Sequence, residues 1–407
     1  MTDKMTDNRN TIQKEGVPIP FIQNGLRNQN TIFVGCDPGN GVTKVVLMSL
    51  GSNNRYRVTR VSIPSLVSVG ALSDADFIAN EQLVENLIEI VDSTNQSYIV
   101  AHDLSVCGLD ITSLQTGSSY YQSSPARGAL VQAGIIKALK ELGDPNASGR
   151  EYVTFLGCTM MAGLYWEGNG LTKNNDKIAD VAATLGAPYR ASTAGYPIVH
   201  NRRTEVFAET LSAALSVLLD VNGDRIGEYE DGSTLAFIDV GHTDTVLLTV
   251  KVVKGLPKIL SRQTVDIGID KLVIRPMANK LSNMTNRGVE GGLYLLYDTV
   301  FSHRGKKIDL TPLKREAMTG LNTQVLGYLN KTIGRGDNHE ATYLVGGFPQ
   351  IATELFDATF FRENGWGGLY NLIIPENPAY VNAQGALNAM MKRLRETETQ
   401  KIGRAHV

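Results

Sequence analysis

The chain has 407 residues, of which 42% are hydrophobic and 20% are charged, and its formal net charge is −2. This length favours two or more domains, and the composition is ordinary for a soluble globular protein. The near-zero net charge argues against a strong global field of the kind that attracts nucleic acids or membranes.

The cysteines and the hydropathy pattern predict a cytoplasmic protein. Cys36, Cys107 and Cys158 lie far apart and lack the spacing of a metal site, which is typical of reduced thiols. No apolar run approaches the roughly 20 residues that a membrane helix needs, and no signal peptide is visible. We therefore expect no membrane association, no direct nucleic-acid binding and no zinc site.

The first half of the chain begins with a polar stretch and then alternates strands with helices. Residues 1–30 are rich in Asn and Gln, which predicts a flexible N-terminal tail. The run SPARGALVQAGIIKALKEL starts with Ser-Pro and carries apolar residues at helical spacing, so it predicts a helix. The predicted strands are TIFVGCD, TKVVLMSL, YRVTRVSIPSLVS with a break at Pro64, NQSYIVAHDLSV and REYVTFLGCTMMAG.

The second half continues the same alternation. RTEVFAETLSAALSVLLD and TPLKREAMTGLNTQVLGYLNKTI predict helices, and YVNAQGALNAMMKRLRET predicts a final amphipathic helix. STLAFIDVGHTDTVLLTVKVV predicts two strands around a polar corner, and ATYLVGGFPQIATELF predicts a strand, a Gly-Gly turn and a helix. Mixed strands and helices in this order predict an α/β fold.

One corner between two apolar strands occurs twice. FVGCDPGNGVTKVVL carries Asp37 and Gly39, and AFIDVGHTDTVLLTV carries Asp239 and Gly241. Both read apolar strand, Asp, one residue, Gly, a polar tip and a second apolar strand. The repeat suggests two similar domains that face each other, each offering a hairpin tip to a shared cleft.

The residue types in these corners suit a nucleoside triphosphate. Glycine lets backbone N–H groups approach phosphate oxygens, Thr43 offers a hydroxyl and Lys44 a point charge. Asp37 and Asp239 would repel phosphate directly, but they suit a hydrated Mg²⁺ between them. A single Asp-x-Gly corner is most often a plain hairpin turn, so the prediction depends on the two matched copies and the later Gly-Gly turn.

These motifs resemble those of a known superfamily. Asp-x-Gly-x-Gly-x-Thr-Lys, then Asp-x-Gly-x-Thr, then YLVGGFPQIATEL are similar to the phosphate-one, phosphate-two and adenosine motifs of the actin, sugar-kinase and heat-shock-chaperone ATPases. Within it, the chain is most similar to plasmid-segregation actins of the ParM type. SIPSLVS resembles a Pro-Ser element of that branch, and IPENPAYVNAQGALNAMM its closing segment. The resemblance covers about residues 31–395.

The resemblance implies an actin-like fold with two related ribonuclease H-like domains around a central nucleotide cleft. Domain I would span 31–204 and be joined by the C-terminal helix 380–397, domain II would span 205–379, and 398–407 would be a tail. The implied cofactors are ATP, or GTP, and Mg²⁺. The implied partners are further copies of the chain in a filament and a DNA-binding adaptor that links it to plasmid DNA.

The resemblance also implies site residues. Asp37 would hold the water shell of Mg²⁺, with Asp239 acting from the opposite hairpin, and both would be catalytic. The residues that would wrap the β-phosphate are Gly39, Asn40, Gly41, Thr43 and Lys44. The opposing clamp would be Asp239, Gly241, His242 and Thr243. The residues that would face the adenosine are Gly346, Gly347 and Phe348.

The residue that orients the attacking water stays open at this level. In the family, the helix before the second hairpin begins with Gln or Glu, and the helix predicted here makes Glu205 the candidate and Glu209, one turn later, the alternative. Glu205 could instead only favour the positive end of the helix dipole. Three residues depart from the family pattern: Val246, where many relatives have a second Asp, His242 and Phe348. These departures leave the choice between ATP and GTP as the bound nucleotide undecided.

Three functions are compatible with these motifs. A nucleotide-driven filament protein fits the ParM-type resemblance. A small-molecule kinase would need a catalytic carboxylate at a sugar-sized pocket, and no candidate is apparent. A chaperone-like ATPase would need a client-binding domain, and the sequence after the nucleotide motifs is short. The filament reading is the one we expect.

Overall fold

The computed structural model describes residues 30–50, 56–70, 86–102, 115–116, 124–143, 149–167, 171–192, 196–357, 359–369 and 371–405. The tail predicted for residues 1–30 lies outside these ranges except for Asn30, and Cys107 lies outside them as well. Within them, Cys36 and Cys158 are free, buried thiols.

The strands and helices of this part of the chain follow the predicted alternation. The strands are β1 (Thr31–Pro38), β2 (Val42–Leu50), β3 (Tyr56–Pro64), β4 (Leu66–Val69), β5 (Leu87–Val91), β6 (Ser97–Ala101), β7 (Gln115–Thr116), β8 (Glu151–Met160), β9 (Arg190–Ala191), β10 (Ile198–Ala208), β11 (Thr234–Val240), β12 (Thr245–Val253), β13 (Leu256–Val265), β14 (Val300–His303), β15 (Lys306–Asp309), β16 (Ala341–Val345) and β17 (Leu372–Ile373). The helices are α1 (Pro125–Glu141), α2 (Ala162–Tyr165), α3 (Asn175–Gly186), α4 (Leu211–Leu218), α5 (Arg275–Thr285), α6 (Tyr294–Tyr297), α7 (Thr311–Thr332), α8 (Gly347–Phe356), α9 (Thr359–Glu363) and α10 (Val381–Ala405).

Two five-stranded sheets have equivalent strand orders. The first runs β10-β8-β1-β2-β3, and the second, given in the corresponding direction, runs β17-β16-β11-β12-β13. In each, a hairpin strand pairs antiparallel with the next strand and parallel with a later one, as β1 does with β2 and β8, and β11 with β12 and β16. The repeated Asp-x-Gly corner is thus the first hairpin of two sheets of equal topology.

The central strands form because helices or loops cover both of their faces. β1 is buried along its whole length, which is why residues 32–36 form a run with no alternation of polar and apolar side chains. A third, antiparallel sheet, β7-β4-β6-β5-β9, leaves the first sheet after Pro64. The break that the sequence predicts at Pro64 is therefore the point where the chain changes sheets.

The C-terminal helix packs closely on the first sheet. A Cβ atom at Gly35 of β1 would overlap the Ala383 carbonyl of α10, and one at Gly157 of β8 would overlap the Ala386 carbonyl. The backbone of the helix therefore packs directly against the backbone of these strands. It continues to Ala405, so the predicted tail at 398–407 is wrong for the residues up to that point, since the helical turns continue through them.

The helix predicted to begin near Arg203 is also wrong. That stretch is the second half of β10, which pairs in parallel with β8, and the helix begins only at Leu211. The chain reverses at Thr210, whose φ is 61°. Apolar residues on both sides of this turn mimic helical spacing, while Val206 and Phe207 are residues that fit a strand. The predicted domain boundary between 204 and 205 falls inside this strand.

Candidate active site

One cleft opens at the carboxyl ends of the parallel strands of both large sheets, which is where ligands bind in α/β proteins. It encloses about 1130 Å³ of empty space, part of it open to solvent. Its lining comes from both hairpin tips, the loop after β10, the start of α8, and α6. The two corners that the sequence predicts to share a cleft therefore do so.

The hairpin tips touch each other across the cleft. Asn40 Nδ2 donates to Thr243 Oγ1 at 3.2 Å. A Cβ atom at Gly41 would lie 2.7 Å from His242 Nδ1, so any larger residue at that position would require the His242 side chain to move. The cleft is therefore bounded at this side by polar and small groups from both halves of the chain.

The first hairpin brings a carboxylate and a lysine into the cleft. Asp37 is buried, and its Oδ1 accepts a hydrogen bond from Thr159 Oγ1 of β8 at 2.5 Å. Lys44 Nζ lies 3.4 Å from Asp37 Oδ2. Both side chains line the cleft, as do Gly39, Asn40 and Gly41, in agreement with the sequence prediction.

Thr43 does not reach the cleft. Successive side chains of a strand alternate between faces, so Thr43 points away from the face that Lys44 occupies. Its hydroxyl is fully buried and lies 3.0 Å from Ser65 Oγ. The predicted contact of this side chain with phosphate is therefore not supported by its placement.

The second hairpin places Asp239 opposite Asp37. Asn382 Nδ2 of α10 donates to Asp239 Oδ2 at 2.7 Å, and Thr210 Oγ1 approaches the same oxygen at 3.5 Å. Burial raises the pKa of Asp239 to about 6, and the charge of Asp37 adds to this shift, while the bond from Asn382 acts against it. Two buried carboxylates thus face one cleft, and Lys44, beside Asp37, is the cation paired with them there.

Three further residues of this hairpin line the cleft as predicted: Gly241, His242 and Thr243. Burial lowers the pKa of His242 below its usual value, so its imidazole is neutral at pH 7. The neighbouring Asp244 also lines the cleft, and burial raises its pKa.

The two glutamates proposed to orient water have different positions. Glu205 lies in β10 and accepts hydrogen bonds from Arg203 Nη2 at 2.6 Å and Nε at 2.9 Å; it is not among the residues that line the cleft. Glu209 follows the end of β10 and lines the cleft. The sequence analysis proposed that Glu205 either orients the attacking water or stabilises a helix dipole. Both proposals required Glu205 to lie at the start of a helix, and it does not. Glu209 is the acid that the structure brings to the cleft.

Glu209 is partly buried and lies among other acids. Burial raises its pKa well above the usual value, the charges of Asp37, Asp244 and Asp239 raise it further, and Arg127 opposes the shift. Arg127 is itself buried in the first turn of α1, and its Nε and Nη2 have no hydrogen-bond partner within the described chain. Sequence reasoning missed Arg127, because nothing in a helical pattern marks an arginine that points inward.

The turn after β16 closes the cleft from the second sheet. Gly346 has a φ of 98°, and a Cβ atom there would overlap the Asp239 carboxylate, so this position requires glycine. Gly347 begins α8, and both glycines line the cleft as predicted. The turn thus holds the start of α8 against the second Asp-x-Gly corner.

Phe348 is a core residue and does not face the cleft. It is fully buried, and its ring packs edge-to-face on Phe361 with centroids 5.8 Å apart. The wall next to it consists instead of Gln350, Ile351 and Glu354. These share with Gly347 one face of α8 at helical spacing, which is the signal that could have identified them.

Comparison with solved structures identifies the fold. A 15-stranded ParM filament from Clostridium botulinum matches 89% of this chain and 99% of that chain, with a TM-score of 0.62 and 17% identity. Bacillus thuringiensis ParM with ATP matches 90% and 99%, with a TM-score of 0.60 and 15% identity. An archaeal actin homolog in complex with ADP matches 88% and 98%, with a TM-score of 0.59 and 17% identity.

The predicted actin-like fold, with similarity to ParM-type proteins, is confirmed by these matches. At such low identities the likeness concerns the fold and not the activity. No protein-family model and no curated protein matches the sequence. Among the described residues, no helix is both long and apolar enough to cross a membrane.

Proposed function

We propose that this chain is an actin-like ATPase that polymerises with ATP bound and whose filaments are destabilised by hydrolysis. The observation that carries the proposal is the pair of matched hairpins that meet across one acid-lined cleft in a chain with an actin-like fold. The structural neighbours include a ParM filament and a ParM with ATP, which supports both halves of the proposal.

The first hairpin is suited to the phosphates. Gly39 and Gly41 present backbone to the cleft, and Lys44 adds a cation beside Asp37. Backbone N–H groups and a lysine together are a common phosphate-binding set. The second hairpin, through Gly241 and the Thr243 hydroxyl, would hold the terminal phosphate from the other side.

Asp37 and Asp239 fit a hydrated magnesium ion. They are oxygen donors buried in one cleft; the charge of Asp37 raises the pKa of Asp239, and both charges raise the pKa of Glu209, which signals closely placed negative charge. Mg²⁺ takes few carboxylates and keeps several waters. When bound, the ion would offset the charge of the phosphates and of these two acids.

Glu209 is the residue we assign to the attacking water. It lines the cleft, and its elevated pKa brings it closer to the range in which a carboxylate can accept a proton near neutral pH. Its carboxylate would orient the water and accept its proton as the water oxygen attacks the γ-phosphorus and the bond to the bridging oxygen breaks. Arg127 would keep part of the Glu209 population ionised.

The wider role that we propose is cytomotive. Filaments would position a cargo such as plasmid DNA through a DNA-binding adaptor, and the chain itself would contact only its own copies, the nucleotide and the adaptor. GTP is the competing nucleotide.

Hydrolysis and sedimentation test this proposal together. Phosphate release and pelleting are measured at micromolar protein with MgATP, MgGTP, MgADP or EDTA, for the wild type and for Asp37→Asn. We expect Mg²⁺-dependent hydrolysis and sedimentable filaments with ATP, both lost in the variant. A wild type that stays monomeric while phosphorylating an added sugar or alcohol would replace this proposal with the kinase function.

A further inference from the structure

Ser65 is a buried residue at the junction of two sheets. It lies between β3 of the first sheet and β4 of the third sheet, and only 1% of its surface is exposed. It is not among the residues that line the cleft. Within the described chain, its hydrogen bonds go to the first hairpin.

Two hydrogen bonds connect Ser65 to the tip of this hairpin, and a third connects it to Thr43 of β2. Its hydroxyl donates to the Gly39 carbonyl at 2.6 Å, and its backbone N–H donates to the Gly41 carbonyl at 2.9 Å. Because the Ser65 proton is used in the first bond, the Thr43 hydroxyl, 3.0 Å away, donates to Ser65 Oγ. Ser65 therefore holds two carbonyls of a three-residue tip from the side away from the ligand.

This arrangement fixes the direction of two backbone donors. A trans peptide unit points its N–H opposite to its C=O. With the Gly39 and Gly41 carbonyls held by Ser65, the N–H groups of Asn40 and Val42 point away from Ser65, and both residues line the cleft. Donors oriented in this way suit the oxygens of a phosphate group.

We propose that Ser65 is a positioning residue that orients the phosphate-binding backbone of the first hairpin and couples it to the third sheet. The inference rests on the proposed function of the cleft. The coupling follows from the chain path, because Leu66 starts β4 directly after Ser65, and β4 pairs with β6 and β7. A shift of the hairpin tip on phosphate binding is therefore transmitted through Ser65 to β4 of the third sheet.

Calorimetry with MgATP and with adenosine tests the positioning role. Ser65→Ala removes the hydroxyl that holds the Gly39 carbonyl and leaves the backbone bond to Gly41. We expect affinity for MgATP to fall roughly tenfold, because the Gly39 carbonyl loses its partner and the Asn40 N–H loses its fixed direction, while affinity for adenosine is unchanged. Ser68→Ala, a half-buried serine on β4, is the matched control and should bind both ligands like the wild type.

The outcomes separate this inference from the proposed function. If the wild type binds MgATP and Ser65→Ala binds it equally well, or loses MgATP and adenosine affinity alike, Ser65 does not position the phosphate loop. If the wild type itself fails to bind MgATP, the proposed function fails first.

Hydrogen exchange of residues 66–69 tests the coupling. MgATP should slow exchange there in the wild type and in Ser68→Ala, and should have a clearly smaller effect in Ser65→Ala at saturating nucleotide. Equal slowing in all three proteins would overturn the coupling.

Discussion

Single side chains in this cleft are distinguished by where the backbone places them and not by their type. Glu205 and Glu209 belong to one stretch of sequence, yet Glu205 is ion-paired with Arg203 on β10 while Glu209 lines the cleft. Asp239 and Glu209 both bind protons more tightly than free carboxyls because of burial and of the acids around them. The burial that raises the proton affinity of these two acids also makes their ionised forms unfavourable for the stability of the fold.

Glu209→Gln should separate nucleotide binding from hydrolysis. The amide keeps the size of the side chain but cannot accept a proton, so we expect turnover to fall by about a hundredfold or more while ATP affinity is preserved. Phosphate release and nucleotide titration measure the two effects. Glu205→Gln is the control and should turn over like the wild type; a loss confined to the control would restore Glu205 as the water-orienting acid.

Asp239→Asn should stabilise the empty protein at alkaline pH. The folded state holds the Asp239 proton with a pKa of about 6, above the usual 3.8, so the stabilising effect of this proton is complete below about pH 4 and is lost as pH rises through 6. Above that range the ionised carboxylate costs about 3 kcal/mol, which an amide avoids while it still accepts from Asn382. Urea unfolding in EDTA should show the full gain at pH 8 and about half of it at pH 5. A gain that does not change with pH would contradict this assignment.

At the scale of elements, close contacts between backbones determine the position of α10. Gly385 of α10 faces α4, and a Cβ atom there would overlap the carbonyl of Ser212. The same helix delivers Asn382 to Asp239 and covers β1 and β8. The position of α10 is thus linked to the second hairpin through a hydrogen bond and to the first sheet through glycine contacts.

Gly385→Ala should destabilise the fold although alanine favours helices. The methyl group would push α10 from α4 at an overpacking cost of about 1–3 kcal/mol. Gly320→Ala on α7, where nothing lies within 4 Å, is the matched control and should instead stabilise by about 0.5–1 kcal/mol. The midpoints of denaturant unfolding measure both, and stabilisation by Gly385→Ala would show that the two helices can separate freely.

At the scale of the whole molecule, two sheets of the same topology meet at one cleft. The tips touch through Asn40 and Thr243, and Asn382 reaches Asp239 from the helix that covers the first sheet. A terminal phosphate that contacts both hairpins would favour one relative placement of the two sheets, and its loss would remove contacts from one side. A ligand shifts such an equilibrium only by its different affinity for the two shapes.

Polymerisation should therefore follow the state of the nucleotide. We expect a lower critical concentration with a non-hydrolysable ATP analogue than with ATP, and disassembly as ADP accumulates. Pelleting over a range of protein concentrations measures this, with Glu209→Gln and ATP as an internal comparison that should behave like the analogue. An equal critical concentration with ADP and with the analogue would remove the coupling between hydrolysis and assembly.

The sequence by itself determined the features that depend on neighbours along the chain. The Asp37 and Asp239 corners, the strands beside them, the Gly346–Gly347 turn and the helices α1, α7, α8 and α10 were predicted, because turn chemistry and apolar periodicity act over a few residues. The actin-like fold was implied by the resemblance of these motifs to those of the actin superfamily, and the repeated corner predicted that both hairpins meet at one cleft.

Only the tertiary structure decided which side chains reach that cleft. Strand pairing with β8 extended β10 through Glu205 and left Glu209 at the strand end, although the local pattern read as a helix. Packing of α8 turned Phe348 into the core, and the register of β2 with β3 brought Thr43 to Ser65. Contacts between residues distant in sequence set the direction of each of these side chains, and a pattern within one segment does not specify which other segment it will pack against.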